Sequence, residues 1–279
     1  MPAYNIHIRD QHYRYSFYEN KETDEIGIFL LGALQEIESV EFFSKVFSGH
    51  LNLFTLETPG TGMTRSLQAT ITIRDQATYV RDFLIHQKVE KIHLFVFSYS
   101  TAIAMELFSM WEPGIKTISI CGGIPGIPQS GRYKTVASLG DAVRSRSDFA
   151  KSFIDTLTGD SKHPRSKVIA RSARQKVFKY SEEQISCFIE NTLRLLVYKP
   201  SFDLRKVDSP CLLCIGESDP YVTEQEALNF VNSLYNGRLV KIKGADHLTH
   251  IQQPAETAKA MLVPLFEYFE TENKHYYAI

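Results

Sequence analysis

Residues 93–108 read HLFVFSYSTAIAMELF: an apolar run, then Ser98-Tyr99-Ser100-Thr101-Ala102, then a segment of helical character. A serine on a sharp strand-to-helix turn is exposed for attack on a carbonyl, and small residues two places either side of it let the strand and helix approach. Ser98 and Ala102 flank Ser100 in this way, so Ser100 is the expected nucleophile. The plain alternative is that Ser100 only caps the helix. A serine hydroxyl needs a base within hydrogen-bond reach, and the base needs an orienting carboxylate. The run CLLCIG is followed by Glu217-Ser218-Asp219-Pro220, and RLVKI by Lys243-Gly244-Ala245-Asp246-His247. Open α/β sheets place their sites outside the carboxyl ends of strands. Asp219 is therefore the expected acid, with Glu217 in reserve, and His247 the expected base, with His250 as competitor. An ordinary Asp-Pro turn and a surface histidine are the plain readings of either residue alone. Acyl chemistry also needs donors for a developing oxyanion. The backbone N–H groups of Thr101, next after Ser100, and of Ala33, in Leu31-Gly32-Ala33-Leu34-Gln35, are the expected pair.

These residues need a scaffold, and the hydrophobic pattern supplies one. Residues 4–8 and 12–18 read as an opening antiparallel hairpin. The runs IGIFLL (26–31), LNLFTL (51–56) and IHLFVF (92–97) are unbroken apolar stretches, the pattern of strands buried on both faces. Residues 115–121, 210–215 and 238–242 read as further strands. Between them, 72–87, 102–111, 224–234 and 254–269 carry helical periodicity. This alternation predicts an α/β fold: a mostly parallel sheet with helices on both faces. From Ile124 to about Val207 no strand-like run occurs and the segments read as helices, 181–197 among them. The expected organisation is a core of 1–123 and 208–279 with a helical insertion, 124–207.

Composition narrows the classes further. The chain has 279 residues, 43% of them hydrophobic and 23% charged, a globular balance. Its net charge of -1 disfavours nucleic-acid binding through bulk charge. No apolar run reaches the ~18 residues of a membrane span, and the N-terminus lacks signal-peptide order, so a cytoplasmic location is expected. The four cysteines are too few for a disulfide scaffold of this size. Cys211 and Cys214 lie within a strand-like run and read as core packing. Charge is segregated: residues 131–205 hold 15 Lys+Arg and 8 Asp+Glu, net +7, against 16 and 24, net -8, elsewhere. The insertion either has solvated basic helix faces or attracts an anionic partner.

Several motifs occur together in order: LLGAL at 30–34, LETPGTGMTR at 56–65, SYSTA at 98–102, GESDPYV at 216–222 and KGADH at 243–247. On these the chain resembles the α/β-hydrolase superfamily over most of residues 10–270, the insertion excepted, with LETPGTGMTR similar to the Asp-x-Pro-Gly-x-Gly-x-Ser segment. More loosely it is similar to the bacterial hydroxyacyl transferases that take acyl groups from carrier-protein thioesters. Leu31 stands where many members have the histidine of His-Gly, Glu57 replaces the usual Asp, and the elbow has no glycine. The resemblance implies that the insertion is a lid, and that Leu34, Tyr99, Ile124, Tyr221 and Leu248 are substrate contacts.

Three functions follow as expectations. One is a serine hydrolase of acyl esters or thioesters that works through an acyl-enzyme, with no metal or organic cofactor. The second is an acyltransferase on the same site, its donor an acyl carrier protein or coenzyme A thioester and its acceptor a hydroxyl. The third is a non-catalytic binding protein on the same fold, which the intact Ser-Asp-His order argues against. Lactonases and C–C hydrolases share the architecture. A dehalogenase, which needs a carboxylate nucleophile, is disfavoured by the serine.

Overall fold

The computed structural model describes residues 2–158 and 164–276. Eight strands, β1 (Tyr4–Ile8), β2 (Gln11–Tyr18), β3 (Ile26–Leu30), β4 (Asn52–Glu57), β5 (Ile92–Phe97), β6 (Ile115–Cys121), β7 (Cys211–Gly216) and β8 (Gly237–Ile242), form one sheet in the order β1-β2-β4-β3-β5-β6-β7-β8. The β1–β2 and β2–β4 pairings are antiparallel and all the others parallel. The helices are α1 (Glu41–Ser48), α2 (Ile73–His86), α3 (Ser100–Trp111), α4 (Arg132–Arg144), α5 (Arg146–Leu157), α6 (Ser166–Phe178), α7 (Glu182–Val197), α8 (Glu224–Val231), α9 (Thr249–Gln252) and α10 (Pro254–Tyr276). Among the described residues no helix is long and apolar enough to cross a membrane.

Strand alternation explains why the central strands read as unbroken apolar runs. In β5, Leu94 and Val96 face α2, α3 and α8, packing with Val80, Phe83, Ile103, Leu107 and Phe230. Phe95 and Phe97 face α1 and α10, among Phe43, Phe47, Met261 and Leu265. Phe95 stacks on Phe47 at 4.4 Å and Phe97 meets Phe29 edge-on at 4.8 Å. Both faces are covered, so both sets of side chains leave water. Cys211 and Cys214 sit on opposite faces of β7, one in each core layer, where a mutual disulfide is geometrically closed.

Glu57, the last residue of β4, is fully buried. It accepts the N–H groups of Ile37 (2.9 Å) and Met63 (2.7 Å) and the Arg14 guanidinium (2.6 Å), which ties three segments together. Burial pushes its carboxyl up to about 6 against the pull of these donors.

Between β6 and β7 lie α4–α7. They share a small apolar centre of Phe149, Ile154, Ala170, Val177, Ile185 and Phe188, against which Ala33 and Leu34 of the core also pack. Arg194 of α7 is almost buried and fastens this insert to the loop after β4, donating to the carbonyls of Leu67 (3.0 Å), Gln68 (2.7 Å) and Ile71 (2.7 Å).

Candidate active site

β5 ends at Phe97, and the chain turns sharply at the next residue. Ser98 has φ +42, a left-handed conformation that a non-glycine residue adopts at a cost. The turn is held by Ser98 N–H on the Cys121 carbonyl (2.8 Å) and by Thr101 N–H on the Ser98 carbonyl (3.0 Å). Space for it comes from Gly123, where a Cβ would lie 2.5 Å from the Ser98 carbonyl oxygen and 2.1 Å from Thr101 Oγ1.

Ser98 Oγ lies 3.4 Å from His247 Nε2, and His247 Nδ1 lies 2.9 Å from Asp219 Oδ2. Asp219 follows β7, and its other oxygen accepts the N–H groups of Tyr221 (2.8 Å) and Val222 (2.9 Å). His247 lies on the loop after β8, with the Tyr221 ring edge-on to it at 5.1 Å. Burial alone would push the imidazole down, but the charge and hydrogen bond of Asp219 outweigh it and hold His247 above the ordinary histidine value. Because Asp219 can only accept, it fixes the Nδ1–H tautomer and leaves the Nε2 lone pair facing the serine.

The structure corrects the expected serine. Ser100 is buried at the start of α3 and its hydroxyl donates to the Leu31 carbonyl, away from His247. The sharp turn falls one residue past the strand, so the crowded flanking positions are Val96 and Ser100 rather than Ser98 and Ala102. The Thr101 expectation shifts with it, since its N–H is already spent on Ser98. The residue after Ser98 is Tyr99, whose N–H, like that of Ala33, makes no hydrogen bond to the described residues. The two reserve residues are also engaged elsewhere. Glu217 accepts from Gly244 N–H at 3.0 Å. His250 meets Gln35 Nε2 at 3.2 Å, and burial pushes it down to about 3, which keeps it neutral.

Ser98 and His247 open into a cavity of about 440 Å³ between the sheet's carboxyl end and the insert, lined mostly by apolar side chains. Ala33, Leu34, Tyr99, Ile124, Tyr221 and Leu248 all line it. The Tyr99 hydroxyl bonds Gln76 and, at 2.9 Å, Asn191. The sequence reading did not find Gln35, whose Oε1 accepts Gly32 N–H at 2.7 Å, nor Tyr180, whose hydroxyl reaches the Leu34 carbonyl at 2.6 Å. Gln35 acts within its own turn, three residues from Gly32, whereas Tyr180 acts across the fold, where no local pattern marks it. Ser98 did carry a signal: it is the first residue after an unbroken strand.

The chain belongs to the alpha/beta hydrolase family, whose sequence model matches residues 36–260. Similar solved structures include the enol-lactonase from Burkholderia xenovorans LB400, with a TM-score of 0.82 and 13% identity, covering 94% of this chain and 99% of that one. The thermophilic esterase from Thermogutta terrifontis gives 0.79 at 15% identity, covering 96% and 99%. MenH from S. aureus gives 0.75 at 20% identity, covering 91% and 98%. No curated protein sequence matches. At these identities the structures share a fold with this chain, and the fold alone.

Proposed function

We propose that the protein is a serine hydrolase of acyl esters or thioesters, with Ser98 as nucleophile, His247 as base and Asp219 as orienting acid. The observation that carries this reading is His247 held between Asp219 and Ser98, at 2.9 and 3.4 Å, at the wall of an apolar cavity. Ser98 Oγ attacks the acyl carbonyl carbon as its proton passes to His247 Nε2. The N–H groups of Ala33 and Tyr99 receive the oxyanion. The bond to the leaving group breaks as the imidazolium returns the proton to it. Water then attacks the acyl-enzyme with the same base, releasing the acid and restoring Ser98. The apolar lining suits an acyl chain, and α4–α7 act as the lid over it.

The direct test combines para-nitrophenyl esters of increasing length with a fluorophosphonate label located by peptide mass. The expected result is hydrolysis, with the label on Ser98. An inert wild type that takes no label rejects the reading.

Transfer to a hydroxyl acceptor is the second reading. It draws on the insert's charge: residues 164–181 contain no Asp or Glu, and Arg165, Lys167, Arg171 and Lys179 are exposed. Such a surface on the insert suits a carrier-protein or coenzyme A thioester as donor. Mass analysis of products with and without an added alcohol separates the two, because only transfer yields the new ester.

A further inference from the structure

The turn that would carry the Ala33 donor is not held by local sequence alone. Leu34, inside it, has φ +59, where a leucine Cβ is crowded. Gln35 closes the turn from within, its N–H on the Gly32 carbonyl at 3.1 Å and its side chain on Gly32 N–H. Beyond these, His250 meets the Gln35 side chain at 3.2 Å, and further holds come from the helical insert. The Tyr180 hydroxyl donates to the Leu34 carbonyl at 2.6 Å, Gln184 Nε2 donates to Glu36 at 2.6 Å, and Lys176 Nζ lies 3.5 Å from Glu36. Tyr180, two residues past α6, is itself fixed from α5 by Arg146, which donates to its backbone carbonyl. Burial raises the phenol above its ordinary pKa, so it stays an O–H donor at working pH.

We propose that Tyr180 is a positioning residue. By holding the Leu34 carbonyl, its hydroxyl keeps the Gly32–Gln35 turn in the shape that aims Ala33 N–H at the reacting carbonyl oxygen. Docking of the helical insert thereby sets the competence of the oxyanion site. This rests on the serine-hydrolase reading above. A turn with a strained member relaxes when a hold is removed, and the donor then drifts off its target. Negative charge on the carbonyl oxygen develops only in the transition state, whereas the acyl chain is bound in the ground state by the apolar cavity. Loss of the hydroxyl therefore acts on kcat and spares KM.

The test uses the full chain carrying Tyr180→Phe, para-nitrophenyl esters as substrates, and an alkyl trifluoromethyl ketone, whose serine adduct places an oxyanion at the same donors. The expected fall in kcat is about 10–100-fold, part of the loss from deleting a donor outright. KM stays within about twofold, and ketone affinity weakens by about the same factor as kcat. Gln35→Met loosens the same turn from within. It is expected to shift kcat and ketone affinity in the same direction, and the double variant is expected to show less than the product of the single effects. A merely structural role would lower thermal stability without moving kcat and ketone affinity together. An active wild type whose Tyr180→Phe variant keeps both within about twofold overturns the positioning role alone. A wild type that neither hydrolyses esters nor labels at Ser98 overturns the hydrolase reading, and this proposal falls with it.

Discussion

At the scale of single residues, two serines two positions apart have opposite fates. Ser98 stands in left-handed backbone facing His247, while Ser100 is buried with its hydroxyl on a main-chain carbonyl. Ser98→Ala is expected to lower kcat by about 10⁴-fold or more and to abolish fluorophosphonate uptake. Ser100→Ala is expected to keep most of the activity and to lose roughly 1 kcal/mol of stability, the worth of one buried hydrogen bond. Equal loss of turnover in both variants would place the nucleophile outside this geometry. His247→Ala should match Ser98→Ala, with no further loss in the double variant, since the residues act as a unit. In the proposed mechanism His247 accepts the serine proton, which it can do only when neutral. Asp219 holds the His247 pKa above the ordinary value, so kcat/KM is expected to rise with pH along one limb whose midpoint lies above ~6.5. Asp219→Asn removes the charge that raises it, and the limb of any residual activity should move to lower pH.

At the scale of elements, the ends of strands position the candidate site and the insert lines its cavity. The turn after β5 delivers Ser98, the loop after β7 delivers Asp219, the loop after β8 delivers His247, and the turn after β3 brings Ala33. The join between α7 and the loop after β4 depends on Arg194 and its three carbonyl partners. Arg194→Met would leave those carbonyls without a charged donor. It is expected to cost about 2–4 kcal/mol, lowering the thermal midpoint by roughly 5–10 °C. A midpoint within about 1 °C of wild type would mean that this join adds nothing to global stability. The elements themselves were largely legible, because strands buried on both faces leave unbroken apolar runs and amphipathic helices leave a 3.6-residue period. The start of α3 was not: Ser100 and Thr101 are as compatible with a turn as with a first helical turn, and that ambiguity moved the expected nucleophile.

At the scale of the whole molecule, charge is unevenly distributed: net +7 in residues 131–205 and -8 elsewhere. Part of the positive charge is already paired, as in Arg146–Glu182, Arg174–Asp155 and Lys176–Glu36. Lys167, Arg171 and Lys179 also lie exposed on the insert. Long-range steering acts on encounter, so for a coenzyme A or carrier-protein thioester kcat/KM should fall steeply with added salt while kcat stays nearly flat. A neutral ester of equal acyl length should show almost no salt dependence. Identical salt profiles for the two would leave the basic surface with solubility as its only role.

The sequence by itself determined the layered α/β core and the helical stretch between β6 and β7, and it pointed to Asp219 and His247, which the fold brings to 2.9 Å of each other. Those features are written in local terms: apolar runs, periodicity, and polar residues just past a strand. It did not decide which serine meets the histidine. That depends on where β5 stops and on the close approach of Gly123 beneath the turn, a contact between segments 25 residues apart in number. Nor did it reveal that Tyr180 reaches Leu34 across 146 residues of chain. A hydrogen bond between distant segments has no periodicity, so only the assembled fold, where packing brings α6 over the turn after β3, makes it visible.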